Sequence, residues 1–367
     1  MIAFLVLLNI WGVISVDTER FEEIVSLDRV KEFFTVDEKA NDPADSSPVD
    51  ETADDPETDD GTGIDIIIED SNDQPRTLDT TIRAATYSIT DLADAVAFDN
   101  AAKTCLHAGL DTVILDVKPD IGTAMGTQEE VDRIQYLVDA FKGRGLRVAA
   151  RVSCFRDGTY PRENAGTGIV TQSGKSWLDW QYTAWISPNS TQGCDYILSQ
   201  ITIAADFGVD EVILDNLCFP QAGKTGYIAY SSDKSLESTI TSFVAKIAKL
   251  ADNYPQTLFS AICGYDPTLD AGYGAGGQDI DGFYRVFDRI FVYPSDARRY
   301  TFEPDVYTAA VEHFGSNDDR RVVAIMQSEQ LSSLDYMFQS MFASGSDNFV
   351  AILTGGGYDS AIFPPNK

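Results

Sequence analysis

Two aspartates stand where a carboxylate is costly. Asp116 follows Val113-Ile114-Leu115, and Asp215 follows the same apolar triplet, Val212-Ile213-Leu214. A charged group directly after such a run must be paired or put to use. Two carboxyl groups that reach one pocket can divide acid/base and nucleophilic roles at an acetal carbon. Glycosidic hydrolysis uses such a pair, about 5–5.5 Å apart in retaining enzymes and about 6.5–9.5 Å apart in inverting ones. The competing structural reading is an ion pair inside the fold, with Arg151 or Lys118 as the cation.

Further polar groups cluster at the ends of the same kind of apolar run. Lys118, two residues beyond Asp116, falls on the same face by strand alternation. Arg151 lies within the run AARVSCFRD, with Arg156 and Asp157 at its rim; FVYPSD ends in Tyr293 and Asp296, and AIMQSEQ carries Gln327 and Glu329. On the hydrolytic reading Asp215 is nucleophile or base, Asp116 the second carboxylate and Glu329 the reserve. Arg151 orients a carboxylate, while Tyr293, Gln327 and Asp296 bind substrate hydroxyls. The stretch 156–187 holds Trp177, Trp180, Tyr182 and Trp185. Flat aromatic faces suit the C–H faces of sugar rings, so Trp180 and Trp185 are candidate platforms; packing of the loop on the domain is the alternative.

The elements that must position these groups are legible from periodicity. Short β-rich runs fall at 83–88, 112–118, 147–155, 211–219, 257–264, 289–293, 322–327 and 348–353. Helical periods lie between them, for example at 129–143, 235–252, 303–314 and 332–344, and Gly109, Gly145, Gly208 and Gly345 are placed as helix stops. Eight strands alternating with helices define a (β/α)₈ TIM barrel. A doubly wound open sheet competes, but its first strand–helix turn would carry a phosphate-binding fingerprint, and none follows the first strand. Barrel sites form at the carboxyl ends of the strands, where the polar residues named above fall.

Composition narrows the partners. The net charge is −31, of which −14 comes from residues 37–73 alone. A barrel this acidic and without a basic patch repels phosphate backbones, which excludes nucleic acid and leaves a neutral polymer such as a polysaccharide. The two histidines, His107 and His313, both fall in helical runs, so a histidine-based zinc site is not expected, and no metal or cofactor is. The five cysteines show no CxxC spacing and read as small buried thiols. Gly272, Gly274 and Gly277 satisfy GxGxxG inside a long loop after the fifth strand, a context for a loop and not for a dinucleotide. Asn189-Ser190-Thr191 matches a glycosylation acceptor too short to carry weight.

The N-terminus has its own logic. Residues 1–16 are an apolar run of signal-peptide or anchor length, shorter than a membrane span of about 20 residues. A short juxtamembrane helix is expected over 17–36 and a disordered acidic linker over 37–75, leaving 76–367 for the barrel. The protein is therefore expected outside the cytoplasm, secreted or tethered by that first segment, its only contact with membrane. Oligomeric state has no signature.

The ordered blocks VILDVKPD, AARVSCFRD, CDYILSQITIAADFGVDEVILDNLCFP, GQDI and FVYPSD resemble the putative glycosyl hydrolase domain family, through most of 82–357. Asp215 and Phe219-Pro220 occupy the family's strand-4 places. The resemblance implies an extracytoplasmic barrel related to the alpha-amylase-like barrels, and a glycoside substrate. The chain departs from the pattern at Asn216 and Cys218, where the family has Tyr and Arg. It departs again in SAICGYD, where the family carries a strand-5 acid, and at Asp296, where the family has His.

Overall fold

The computed structural model describes residues 81–264 except 222, 231 and 232, then 275–296, 301–302, 304–313, 319–343, 346, 348–353, 357, 358, 361 and 363. The leader, short helix and acidic linker expected over 1–75 lie outside the described residues. Eight parallel strands close into a barrel in chain order. They are β1 (Arg83–Ser88), β2 (Thr112–Lys118), β3 (Arg147–Ser153), β4 (Glu211–Asp215), β5 (Leu258–Cys263), β6 (Arg289–Val292), β7 (Val322–Ser328) and β8 (Phe349–Leu353). Closure comes from β1 pairing with β8, Arg83 against Phe349. The connecting helices are α1 (Ala95–His107), α2 (Gln128–Lys142), α3 (Thr191–Asp206), α4 (Leu236–Ala251), α5 (Ile280–Val286), α6 (Pro304–His313) and α7 (Leu331–Ala343).

Local chemistry explains the boundaries. Asp94, Ser190 and Ser235 cap α1, α3 and α4 by accepting first-turn amides, and Thr127 with Glu130 forms a reciprocal capping box on α2. Gly109, Gly145 and Gly208 take the left-handed conformation expected of them after α1, α2 and α3; Gly345 is outside the described residues. Several strands are shorter than their apolar runs, β3 and β4 among them. The run expected to 219 stops at Asp215 because Asn216 turns left-handed, at φ 50°. The run expected to 155 stops at Ser153, although Cys154 and Phe155 still donate backbone bonds to Asp215 and Asn216.

Strand alternation divides the core in two. Leu115, Ala150, Val152 and Leu214 face outward and pack under the helices. Ile114, Ala149, Ile213, Ile262, Phe291, Ile325 and Val350 fill the barrel interior. The residue two places beyond each interior residue points the same way, one layer higher. That rule delivers Asp116, Arg151, Asp215, Gly264, Tyr293, Gln327 and Ile352 to the carboxyl-end mouth, and all seven line one cavity there. At the other end Arg289 and Glu211, both almost fully buried, pair at 2.5 Å, and Ser260 donates to Glu211.

One expected neighbour is not in this layer. The pairing of β2 with β3 shifts register between Asp116 and Lys118, so the two do not share a face as simple alternation required. Lys118 is fully buried, 3.0 Å from Asp157, and donates to the Ser153 carbonyl at 2.6 Å. Asp157, expected at the rim, is likewise fully buried.

Candidate active site

The cavity at the mouth has a volume of about 620 Å³. Its centre is Arg151. Nε and Nη2 both donate to Asp215 Oδ2, at 3.0 and 2.5 Å, Nη1 donates to Asp116 Oδ1 at 2.8 Å, and Nη2 also donates to Asp120 Oδ1 at 2.9 Å. A second guanidinium, Arg156, bonds the other oxygen of Asp120 and reaches Asp179 Oδ2 at 2.8 Å. Four carboxylates thus surround two cations. The backbone holds the central one: the Asn216 amide donates to Asp215 Oδ1 at 2.6 Å, a contact created by the left-handed turn at Asn216.

These surroundings push the acids apart. Burial raises the Asp116 carboxyl above the usual range; Arg151 opposes this, while the negative Asp120 and Asp215 reinforce it. Burial also works to raise Asp120, but Arg151 and Arg156 together outweigh it and hold that carboxyl low. Burial works against the Arg151 charge, and the three aspartates more than restore it. The Tyr293 phenol is raised, first by burial and then by Asp215. Carboxyl groups separated in this way can take different roles at one pH.

The sequence-expected residues fall into three groups. Asp116, Arg151, Asp215, Tyr293 and Gln327 line the cavity from five strands. Trp180 and Trp185 line it from the loop after β3 but differ in setting. Trp180 is 64% exposed, whereas Trp185 is 6% exposed and donates Nε1 to Asp179 at 3.1 Å. Glu329 follows β7, is exposed, and does not line the described cavity. Asp296 belongs to a two-residue strand paired with Thr301–Phe302, and its side chain is outside what is described.

Several polar residues escaped the sequence reading: Asp120, Asp179, Gln221 and Gln278 are among those that also line the cavity. Asp120 was within reach, since it closes the VILDVKPD block just past a strand end; Asp179, in mid-loop, carries no periodic signal. Gln278 is buried and ties the ends of β4 and β5 together, donating to the Leu217 and Ile262 carbonyls and accepting from the Gly264 amide. The glycine run before it also has a packing reason. Gly276 lies so close to the Phe219 carbonyl that a Cβ would clash, and its own carbonyl accepts from the Phe219 amide at 2.8 Å. All five cysteines are buried free thiols. Among the described residues no three His, Cys, Asp or Glu side chains are arranged to hold a metal ion, and no helix is long and apolar enough to cross a membrane.

A closed parallel eight-stranded barrel whose strand ends bring carboxylates and an arginine into one mouth cavity is a (β/α)₈ barrel with its polar cluster at the carboxyl-end face. The chain belongs to the family described as "Putative glycosyl hydrolase domain", which matches residues 86–313. Among solved structures, the galactosidase domain of the alpha-galactosidase-sucrose kinase AgaSK shares the fold. It superposes with a TM-score of 0.50 at 13% identity, over 75% of this chain and 37% of that one. The glycoside hydrolase domain of PelA from Pseudomonas aeruginosa superposes at 0.44 with 12% identity, over 75% of this chain and 96% of that one. Aspergillus fumigatus Ega3, solved in complex with galactosamine, superposes at 0.44 with 13% identity, over 75% and 92%. No curated protein matches the chain.

Proposed function

We propose that the protein hydrolyses glycosidic bonds of an extracellular or cell-envelope polysaccharide by a two-carboxylate mechanism. The observation that carries this reading is the meeting of Asp116 and Asp215, from β2 and β4, on one guanidinium in one cavity. Family membership points the same way. Asp116 is the proton-bearing acid: burial favours its neutral form, and Arg151 bonds only Oδ1, so the proton sits on the other oxygen. It passes that proton to the glycosidic oxygen as the bond to the anomeric carbon breaks. Asp215, held by Arg151 and the Asn216 amide, attacks the anomeric carbon or takes a proton from the attacking water. Tyr293 and Gln327 bond sugar hydroxyls, and Trp180 at the rim stacks on a ring. Secretion or tethering by the N-terminal segment places the enzyme with its polymer, and no cofactor is required.

Asp215→Asn is expected to lower glycan hydrolysis by on the order of 10³-fold, with the melting temperature nearly unchanged. Unaltered turnover in that variant would refute the assignment. A second reading, a carbohydrate-binding barrel without catalysis, is favoured by one observation: β5 ends in Cys263, followed by Gly264, and among the described residues no acid lines that wall of the cavity. A glycan array followed by product analysis separates the two, since binding without any released product supports the second.

A further inference from the structure

Between the two arginines lies a carboxylate that strand alternation does not single out. Asp120 follows the end of β2 by two residues, and its oxygens are divided between partners. Oδ1 accepts from Arg151 Nη2 at 2.9 Å and from Asn216 Nδ2 at 3.3 Å, while Oδ2 accepts from Arg156. Its backbone is fastened as well, since the Gly158 amide donates to its carbonyl at 2.8 Å. Arg156 is in turn braced from the far side by Asp179. A carboxylate gripped by two guanidinium groups keeps its charge.

Asp116 shares Arg151 with this fixed charge. Asp120 therefore acts on it twice, by direct repulsion of a second negative charge and by claiming part of the only cation that Asp116 touches among its described partners. We infer that Asp120, fixed between Arg151 and Arg156 beside Asp116, is a positioning residue for the acid of the proposed hydrolysis, a standing negative charge that adds to burial in favouring the neutral form of Asp116. Its functional meaning rests on that hydrolytic reading. The charged groups facing Asp116 are Arg151 from β3, Asp120 from the loop after β2, and Asp215 from β4. Those facing Asp120 are Asp116, Arg151 and Arg156, with the Tyr293 phenol after β6 sensing the same field. Burial lifting Asp116 while the arginines hold Asp120 low is the split this arrangement produces.

The test is a carbon-13 carboxyl NMR titration of the full chain, with the Asp116 resonance assigned by its loss in Asp116→Asn. In Asp120→Asn the Asp116 midpoint is expected to fall by on the order of one pH unit. The alkaline limb of the pH–rate profile, on any glycan the wild type cleaves, should move down with it. Asp120→Glu, which keeps the charge, should hold the wild-type midpoint. An unchanged Asp116 midpoint in folded Asp120→Asn overturns the inference. Arg156→Gln leaves Asp120 in place and covers the case in which Asp120→Asn does not fold. There the Asp120 midpoint should rise, and its staying low would overturn the clamp. If no glycan is cleaved by the wild type, only the hydrolase reading fails, because the titration needs no substrate.

Discussion

Among the described residues, Arg289 and Arg151 sit at opposite ends of the barrel interior, and their company differs. Arg289 at the amino-end floor pairs with Glu211, whose other oxygen accepts from Ser260, and both charges are nearly inaccessible. Arg151 at the carboxyl-end mouth faces three carboxylates and opens on a cavity. A pair buried this deeply, away from the cavity, is out of reach of a ligand and serves the fold. A cation outnumbered by acids leaves proton affinities unequal, and unequal acids are what acid/base chemistry requires. The same division runs through (β/α)₈ barrels generally, with stability at the amino-end face and reactivity at the other.

Breaking the floor pair should have one of the two largest effects on stability. Arg289→Met leaves Glu211 buried and unpaired, at an expected cost of about 3–5 kcal/mol, visible as a lower denaturation midpoint. Adding Glu211→Leu should recover most of it. If Arg289→Met melts like the wild type, the floor pair is not structural and the contrast fails. The two tryptophans sharpen the contrast within the mouth itself. Trp185→Ala should destabilise by about 3–5 kcal/mol, because the ring is buried and bonded to Asp179. Trp180→Ala should leave stability nearly unchanged and weaken glycan affinity by on the order of tenfold, read by titration calorimetry on a glycan identified by array.

The smallest effect is a matter of pH. Because the Asp116 carboxyl is raised on folding, its contribution to stability is complete below the ordinary carboxyl range. That contribution is lost as pH rises through the elevated value. The melting temperature of Asp116→Asn should therefore climb relative to wild type across that window. A constant difference would mean that burial does not favour the neutral acid.

Much of this could be read before folding. The repeated Val-Ile-Leu-Asp places an unpaid charge after two apolar strands, and both aspartates do reach the cavity. Arg151 stood out for the same reason, a cation within an apolar run. Lys118 was misread because a register shift between β2 and β3 reverses the face that alternation assigns, and nothing local in VILDVKPD announces it. Trp180 and Trp185 look alike in sequence, and their difference arises only when Asp179 claims one indole.

Periodicity and composition by themselves determined the eight-fold alternation of strand and helix, the helix stops, and which aspartates end apolar runs. Each of these depends on neighbours within a few residues, so the chain carries the information locally. Only the tertiary structure decided that Arg151 is shared by three carboxylates, that Asp120 is caught between two arginines, and that the acids differ in proton affinity. Those properties are sums of charge and burial over residues far apart in sequence, 96 positions in the case of Asn216 and Asp120, and closing the barrel is what brings them together.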